Sequence, residues 1–473
     1  MNRPHIVLIT ADELRKDGLS CYGNEAIRTP NLDRLAGESL MFERAYTNSP
    51  WCLPSRCAIA TGRLPHNNGA YSNFRECRMG QEVPTLFSEL KRGGYRTSVF
   101  GKCHFIPVKY AETRKDKTLP YDDYRDYYMS LGIDDLCLQD GKLVSAWHYD
   151  DYSKELEAHG HLQAYRDAAW NKETQKVYPS PLPKEWHPDS WVGRKAAEYI
   201  ASYDGQEPLF TWVSFSGPHY PFDAPADYYD KVDMSRAQPR HVKQGEFDPE
   251  SRIHHTSYHG PGRIDGSAAA PDRACKNFSD EYWDTLTRNY FANIVQIDEY
   301  IGCILDAVKA RFGDNVLIIF TADHGEMLGH HGIWGKNNCA YEDVWNVPLL
   351  VQYPGEKEHV RLDEKVMLVD IMPTCLKAAQ LPPVVSDGDD FKHIAAQGGH
   401  PYVICEGEGF AAISDGETKY IQVNKPDENF AELVHLPQDP YEFDNAVEAP
   451  EHAARLFRLQ RKLAEVFMQN ILA

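Results

Sequence analysis

Asn315-Val-Leu-Ile-Ile-Phe-Thr-Ala-Asp-His-Gly325, "NVLIIFTADHG", decides how the rest of the chain is read. It is an apolar run that stops abruptly at acid, histidine and glycine. Such a run, bounded by turn residues, fits a strand buried on both faces. The chain opens in the same way: "HIVLIT" (5–10) runs into Asp12 and Glu13. "RTSVFGK" (96–102), "PLFTWVSFSGPH" (208–219) and "VPLLVQYPG" (347–355) add strands. Between them lie helical patterns. "TPNLDRLAGES" (29–39) starts at Thr-Pro, "VPTLFSELKRGGY" (83–95) ends at Gly-Gly, and the long amphipathic run from Trp283 stops at Gly313. Strands alternating with helices predict an α/β fold: a large mixed, mostly parallel sheet sandwiched by helices.

Polar residues recur just after these strands: Asp12, Lys102, His104, His219, Asp323 and His324. In open α/β sheets ligands bind outside the carboxyl ends of the strands, so these residues are expected to converge. Asp12 and Glu13 offer oxygen to a hard cation, and Asp323 with His324 is a frequent ligand pair. Each pair alone also reads as an ordinary strand-end turn. Lys102, His104, His219 and Lys336 sit in the shaped loops "GKCHF", "SGPHYPF" and "GIWGKNN". Singly, each reads as a surface lysine or a hydrogen-bonded histidine. Together they suit a tetrahedral oxyanion, with lysine supplying charge and histidine a proton for the leaving oxygen.

"SPWCLPSRC" (49–57) is harder to place. Only three residues separate Cys52 from Arg56, which disfavours a cysteine-phosphatase loop. A disulfide from Cys52 to Cys57 would close a very short ring. Zinc spacing of the CxxC kind is absent throughout. A buried thiol and a modified catalytic residue both remain.

The chain has 473 residues and a formal net charge of −20. That charge argues against nucleic acid or an anionic membrane as a partner, so a site for an anionic substrate has to be local. No apolar run reaches transmembrane length, and the opening lacks a signal-peptide pattern. Eleven scattered cysteines then suit free thiols and a cytoplasmic location. The stretches from about Tyr110 to His187 and from Asp223 to Arg273 are insertion-like, the second rich in Pro, Gly and His. They are expected to form lids or substrate walls. The expected division is residues 1–385 as a catalytic domain and 386–473 as a smaller α+β subdomain. "YVICEGE", "FAAISDG" and "TKYIQVN" would be its short antiparallel strands, and the run after Pro450 its closing helix.

Cys52-Leu-Pro-Ser-Arg56 resembles the C-x-P-S-R signature of type I sulfatases, in the alkaline-phosphatase-like superfamily. "CAIATGRLPHNNG" after it, "IVLITADELRKDGLSCYGN" before it, "GYRTSVFGKCHF", "SGPHYPF", "TADHGEMLGHHGIWGKNN" and the late "TKYIQV" are similar to that family in the same order. The resemblance runs from about His5 to Asn445.

It implies that a formylglycine-generating enzyme converts Cys52 to formylglycine, reading Pro54 and Arg56. One hydroxyl of the aldehyde hydrate would attack sulfur. Loss of a proton from the second would expel sulfate and restore the aldehyde. Asp12, Asp323, His324 and the residue-52 oxygen would hold one divalent ion, calcium by family default, with manganese or magnesium as alternatives. Arg56 would hold the residue-52 oxygens, and Lys102 and Lys336 the sulfate. His104 would take the proton that starts the second step, and His219 would be the general acid. Cys57 becomes a packing residue at the start of a helix carrying Ala58 to Thr61. Two departures stand out. Glu13 replaces a common Asp and is a ligand, a neighbour of the ligands, or neither. His324 stands where many relatives carry Asn.

The expected substrate is a small or oligosaccharide sulfate ester, sugar sulfates first. A choline-sulfatase-like enzyme and a phosphonate or phosphate monoester hydrolase are the alternatives. A homo-oligomer is plausible, but no sequence feature demonstrates one.

Overall fold

The computed structural model describes residues 3–73, 77–80, 82–107, 119–120, 122–171, 177–249, 252–259, 274–336, 339–425 and 428–468. The strands of the main sheet are β1 (His5–Asp12), β2 (Leu40–Tyr46), β3 (Arg96–Gly101), β4 (Asp135–Leu138), β5 (Leu209–Pro218), β6 (Val316–Ala322), β7 (Asn346–Gln352), β8 (Val360–Leu362) and β9 (Val366–Met367). Their order is β8-β2-β7-β6-β1-β5-β3-β4, with β9 also beside β2. β1 runs parallel to β5 and β6, and β3 runs parallel to β5 and β4. Within this sheet, among the described residues, only the pairings made by β7 are antiparallel. This is the expected mixed, mostly parallel sheet.

The apolar runs explain its centre. Ile6 to Ile9 of β1 and all of β5 and β6 are buried, as strands covered on both faces must be. The helices that position the site are α1 (Pro30–Ala36), α2 (Cys52–Thr61), α3 (Leu86–Arg92), α4 (Asp122–Ser130), α5 (Pro188–Ser202) and α6 (Asp280–Phe312). α6 packs along α5 and buries Tyr290, Ile294, Ile297, Ile301, Ile304 and Val308 at helical spacing. α3 begins in a capping box: Ser88 N–H donates to Thr85 Oγ1 and Thr85 N–H to Ser88 Oγ, both at 3.0 Å. Phe87 of α3 joins Phe105 and Trp212 in a buried triangle with ring centroids 5.6–6.0 Å apart. Each such side chain stabilises the fold by about 1.5–3 kcal/mol.

Three features differ from expectation. β2 was hidden by Glu43 and Arg44, which interrupt its apolar run. β4, only four residues long, and α4 lie inside the stretch expected to form a lid or wall. Part of that stretch supplies the edge of the sheet, and its residues 110–118, 121 and 172–176 lie outside the described residues. α2 starts at Cys52, not at Cys57. All ten of its residues are buried, so it shows no amphipathic pattern. Pro54 is tolerated because first-turn N–H groups have no partner within the helix.

A second sheet, β10 (Val403–Gly407), β11 (Phe410–Ser414), β12 (Thr418–Lys425) and β13 (Glu428–His435), is antiparallel in sequence order. Helix α7 (Ala453–Met468) packs on β11 and β12. β13 adds a fourth strand to the three expected. Among the described residues no helix is long and apolar enough to cross a membrane. All eleven cysteines are free thiols.

Candidate active site

β6, β1, β5 and β3 are consecutive and parallel, so their carboxyl ends form one row. That row carries Asp323-His324, Asp12-Glu13, Pro218-His219 and Lys102 to His104 in turn. Residues hundreds of positions apart thus meet because strand order differs from chain order. The register slips between Ala11 and Asp12, which re-aims Asp12. His219 N–H donates to Asp12 O at 3.1 Å and joins the two strand ends.

The nucleophile candidate arrives from the other side. β2 leads into α2, whose first residue is Cys52. Thr47 Oγ1 and Ser55 Oγ each donate to Asp323 O at 2.6 Å and pin the start of α2 to the end of β6. Arg56 is fully buried. Its Nε donates to Asp323 Oδ2 at 2.8 Å, and its Nη1 to Lys102 O at 2.9 Å and Ser214 Oγ at 2.7 Å. One arginine therefore ties together β6, β3 and β5.

Cys52 Sγ stands where the residue-52 oxygens would stand after modification. It lies 3.2 Å from His324 Nε2, 3.4 Å from Asp12 Oδ1 and 3.4 Å from Lys336 Nζ. Burial alone would push its pKa up, but Lys102, Lys336 and His324 hold it well below the ordinary thiol value. The N-terminus of α2 adds partial positive charge at the same point. The arrangement favours an anion at position 52.

The donors also suit one cation. The ligand atoms of Asp12, Cys52, Asp323 and His324 all lie within 4.8 Å of one another. His324 Nδ1–H donates to Gly325 O at 2.9 Å, which leaves Nε2 a lone pair facing Asp12 Oδ1 at 3.6 Å and Asp323 Oδ1 at 3.7 Å. Two carboxylates, one imidazole and a residue-52 oxygen form a reasonable donor set for a divalent ion.

Glu13 falls outside that set. Its backbone has φ +66°, a left-handed conformation rare for a non-glycine residue, and its N–H donates to Asp323 Oδ1 at 3.0 Å. The carboxyl instead meets Lys336 Nζ at 2.8 Å and His219 Nε2 at 3.2 Å. Lys102 Nζ pairs with Asp12 Oδ2. His219 Nδ1–H donates to Tyr220 O at 2.6 Å, so its Nε2 is the atom facing the site.

His104 contacts the Cys52 thiol, and burial holds its pKa at about 4. Its φ is +49°. Sequence reasoning missed what holds it there: Asp140 accepts both the Cys103 and His104 N–H groups at 2.8 Å. It also missed Ser214 and Glu326, whose Oε1 accepts Leu328 N–H at 3.1 Å within the turn leading to Lys336. None of these carries a spacing signal. An apolar environment and a chain reversal select them.

The family profile described as "Sulfatase" matches residues 4–381. The arylsulfatase of Clostridium perfringens is 27% identical, over 98% of this chain and 94% of its own length. The choline-sulfatase of Rhizobium meliloti is 27% identical, over 95% and 83%. The crystal structure of the phosphonate monoester hydrolase of Agrobacterium radiobacter shares the fold, with a TM-score of 0.78 at 22% identity over 99% of this chain and 96% of that one. With its profile spanning most of the sequence and its strand-end residues meeting at one buried cysteine, this chain belongs to the sulfatase family.

Proposed function

We propose that the protein hydrolyses a sulfate monoester to an alcohol and inorganic sulfate, using residue 52 in its formylglycine form. One observation carries this: Lys102, Lys336 and His324 converge on a single buried side chain at a helix N-terminus. Lys102 and Lys336 are paired with Asp12 and Glu13, and a small anion bound between them would share both cations.

Lys102 and Lys336 would leave Asp12 and Glu13 in part to hold the non-bridging sulfate oxygens. Arg56 would fix the residue-52 oxygens. His219, its Nδ1–H committed to Tyr220 O, would present Nε2 to the ester oxygen as general acid. His104, neutral above about pH 4, would accept the proton that starts the second step. Formylglycine hydrate would supply the attacking hydroxyl and a second hydroxyl whose deprotonation expels sulfate. Asp12, Asp323, His324 and the residue-52 oxygen would hold one divalent ion, calcium first and manganese or magnesium next. When bound, it would supply positive charge beside the attacking oxygen.

Cys52 lies in the sequence that a formylglycine-generating enzyme would read. The free thiols suit the cytoplasm. For the alcohol we favour a sugar, with a choline-like cation next. Hydrolysis of a phosphonate or phosphate monoester is the second reading, because a metal and residue 52 would serve either ester. Relative turnover of matched aryl sulfate, phosphate and phosphonate esters decides between them.

A further inference from the structure

We propose that the segment Gln139–Lys142, which leaves edge strand β4, positions both proton-transfer histidines: Asp140 acts through the backbone of His104, and Lys142 through the loop that carries His219. The proposal rests on the roles given to those two histidines above.

His104 sits in a left-handed backbone conformation, which persists only where the surroundings enforce it. Asp140 does so. Its Oδ1 accepts the N–H of Cys103 and of His104, each at 2.8 Å. Its Oδ2 accepts the Tyr128 hydroxyl at 2.7 Å, and its own N–H donates to Asp150 Oδ2 at 3.1 Å. Asp140 is fully buried. A carboxylate placed there turns the His104 backbone so that the ring faces Cys52.

Lys142 is also buried, and all three of its ammonium protons are used. Nζ donates to Asp223 Oδ1 at 2.7 Å, Asn293 Oδ1 at 2.9 Å and Pro221 O at 3.1 Å. Pro221 follows Tyr220, whose carbonyl fixes the His219 ring through Nδ1. The other flank of the loop is held at Gly217, whose N–H donates to Asp189 Oδ1 at 2.8 Å. Asn293 Nδ2 donates to Asp189 Oδ2 at 2.9 Å and closes the frame. A Cβ at position 217 would come within 2.3 Å of both Asn293 Oδ1 and Asp189 Oδ2, so the loop is seated tightly. Gly141, at φ +128°, makes the reversal that sends its two neighbours to different loops.

A buried ion pair kept only for packing would lower every activity alike. Positioning predicts two different signatures. The test uses protein matured at residue 52 and a series of sulfate esters, from nitrophenyl to alkyl leaving groups. Lys142→Met with Asp223→Leu removes both charges, so neither is left buried alone. It is expected to cut kcat/KM about 10²-fold for the alkyl ester and less than about fivefold for the nitrophenyl ester, since only the poor leaving group needs its proton. Asp140→Ala is expected to bring kcat down toward one common value for every leaving group, with a burst of alcohol in the first turnover. Asp140→Asn keeps the Oδ1 acceptor and should restore kcat. Tyr128→Phe leaves the carboxylate in place and should give a weaker burst even if Asp140→Ala does not fold. A uniform loss across the series for the Lys142 pair, or no burst in either the Asp140→Ala or the Tyr128→Phe protein, would overturn the proposal. Matched phosphate and phosphonate esters are run alongside. If the wild-type protein prefers those, the sulfate reading fails, while the leaving-group slope still tests the positioning.

Discussion

Lys336 Nζ lies 2.8 Å from Glu13 Oε2, with both side chains buried. This pair answers what the longer acid at position 13 does. The Glu13 backbone turns left-handed just after β1, and its N–H is spent on Asp323. The carboxyl therefore swings away from the Asp323-His324 side and toward Lys336 and His219. Burial pushes that carboxyl well above the ordinary range, against the pull of Lys336. Glu13 thus faces Lys336 and His219, and with Asp12 and His219 it also forms a second group of donors within 4.8 Å of one another.

Glu13→Gln should accordingly keep one divalent ion per chain, measured by elemental analysis of the purified protein. Asp323→Ala should lose it. If Glu13→Gln empties the site while keeping its fold, Glu13 is a ligand and its assignment here is wrong.

Residue 52 should carry the modification. In protein co-produced with a formylglycine-generating enzyme, the tryptic peptide Ala45–Arg56 should weigh about 18 Da less than its cysteine form. Cys52→Ala should abolish turnover and leave the thermal midpoint within a few degrees. Full activity from a sample containing only unmodified Cys52 would rule out the aldehyde.

Arg252 links the main body to the second sheet. Its Nε meets Glu432 Oε1 at 2.8 Å and its Nη2 meets Glu246 Oε1 at 3.2 Å, with all three side chains largely buried. Arg252→Met leaves Glu432 buried without its cation, while Glu246 keeps His331 Nδ1 at 2.7 Å. It should cost about 3–5 kcal/mol in denaturant unfolding. A loss below about 1 kcal/mol would show the pairing to be no stronger than a surface one.

His254 gives a pH signature. Burial, with His331 and Arg252 adding to it, lowers its pKa from 6.5 to about 3. The unfolded chain takes up that proton as pH falls through 6.5, and the folded chain does not. The stability from neutral His254 is therefore complete above pH 6.5 and drains away as pH drops toward 3. The limiting slope is about 1.4 kcal/mol per pH unit. Unfolding free energies of wild type and His254→Gln between pH 4 and 7 should differ in slope by up to one proton, the variant being flatter. Equal slopes would place the His254 pKa near its ordinary value.

Much of this was legible from the residues. Apolar runs ending in acid and histidine located β1, β5 and β6, because a strand buried on both faces can hold little else. The same runs named the strand-end residues that now face each other. The second half of α2 was legible through the family resemblance, but its start at Cys52 was not, since a helix buried all round has no periodicity to read. Nor was β4, whose four residues lie within a charged stretch. Asp140, Lys142 and Glu326 were invisible for a different reason. Each is chosen by the backbone it must hold, and that partner is set by the chain path and not by local sequence. Glu13 was the reverse case: the sequence flagged it, and only its backbone torsion decided where its side chain goes.

Sulfate preference is tested most directly by kcat/KM of the matured protein for 4-nitrophenyl sulfate, the matching phosphate, and a 4-nitrophenyl phosphonate monoester. Sulfate should be turned over fastest, with the activity lost in Cys52→Ala. Faster turnover of the phosphonate or the phosphate would contradict it.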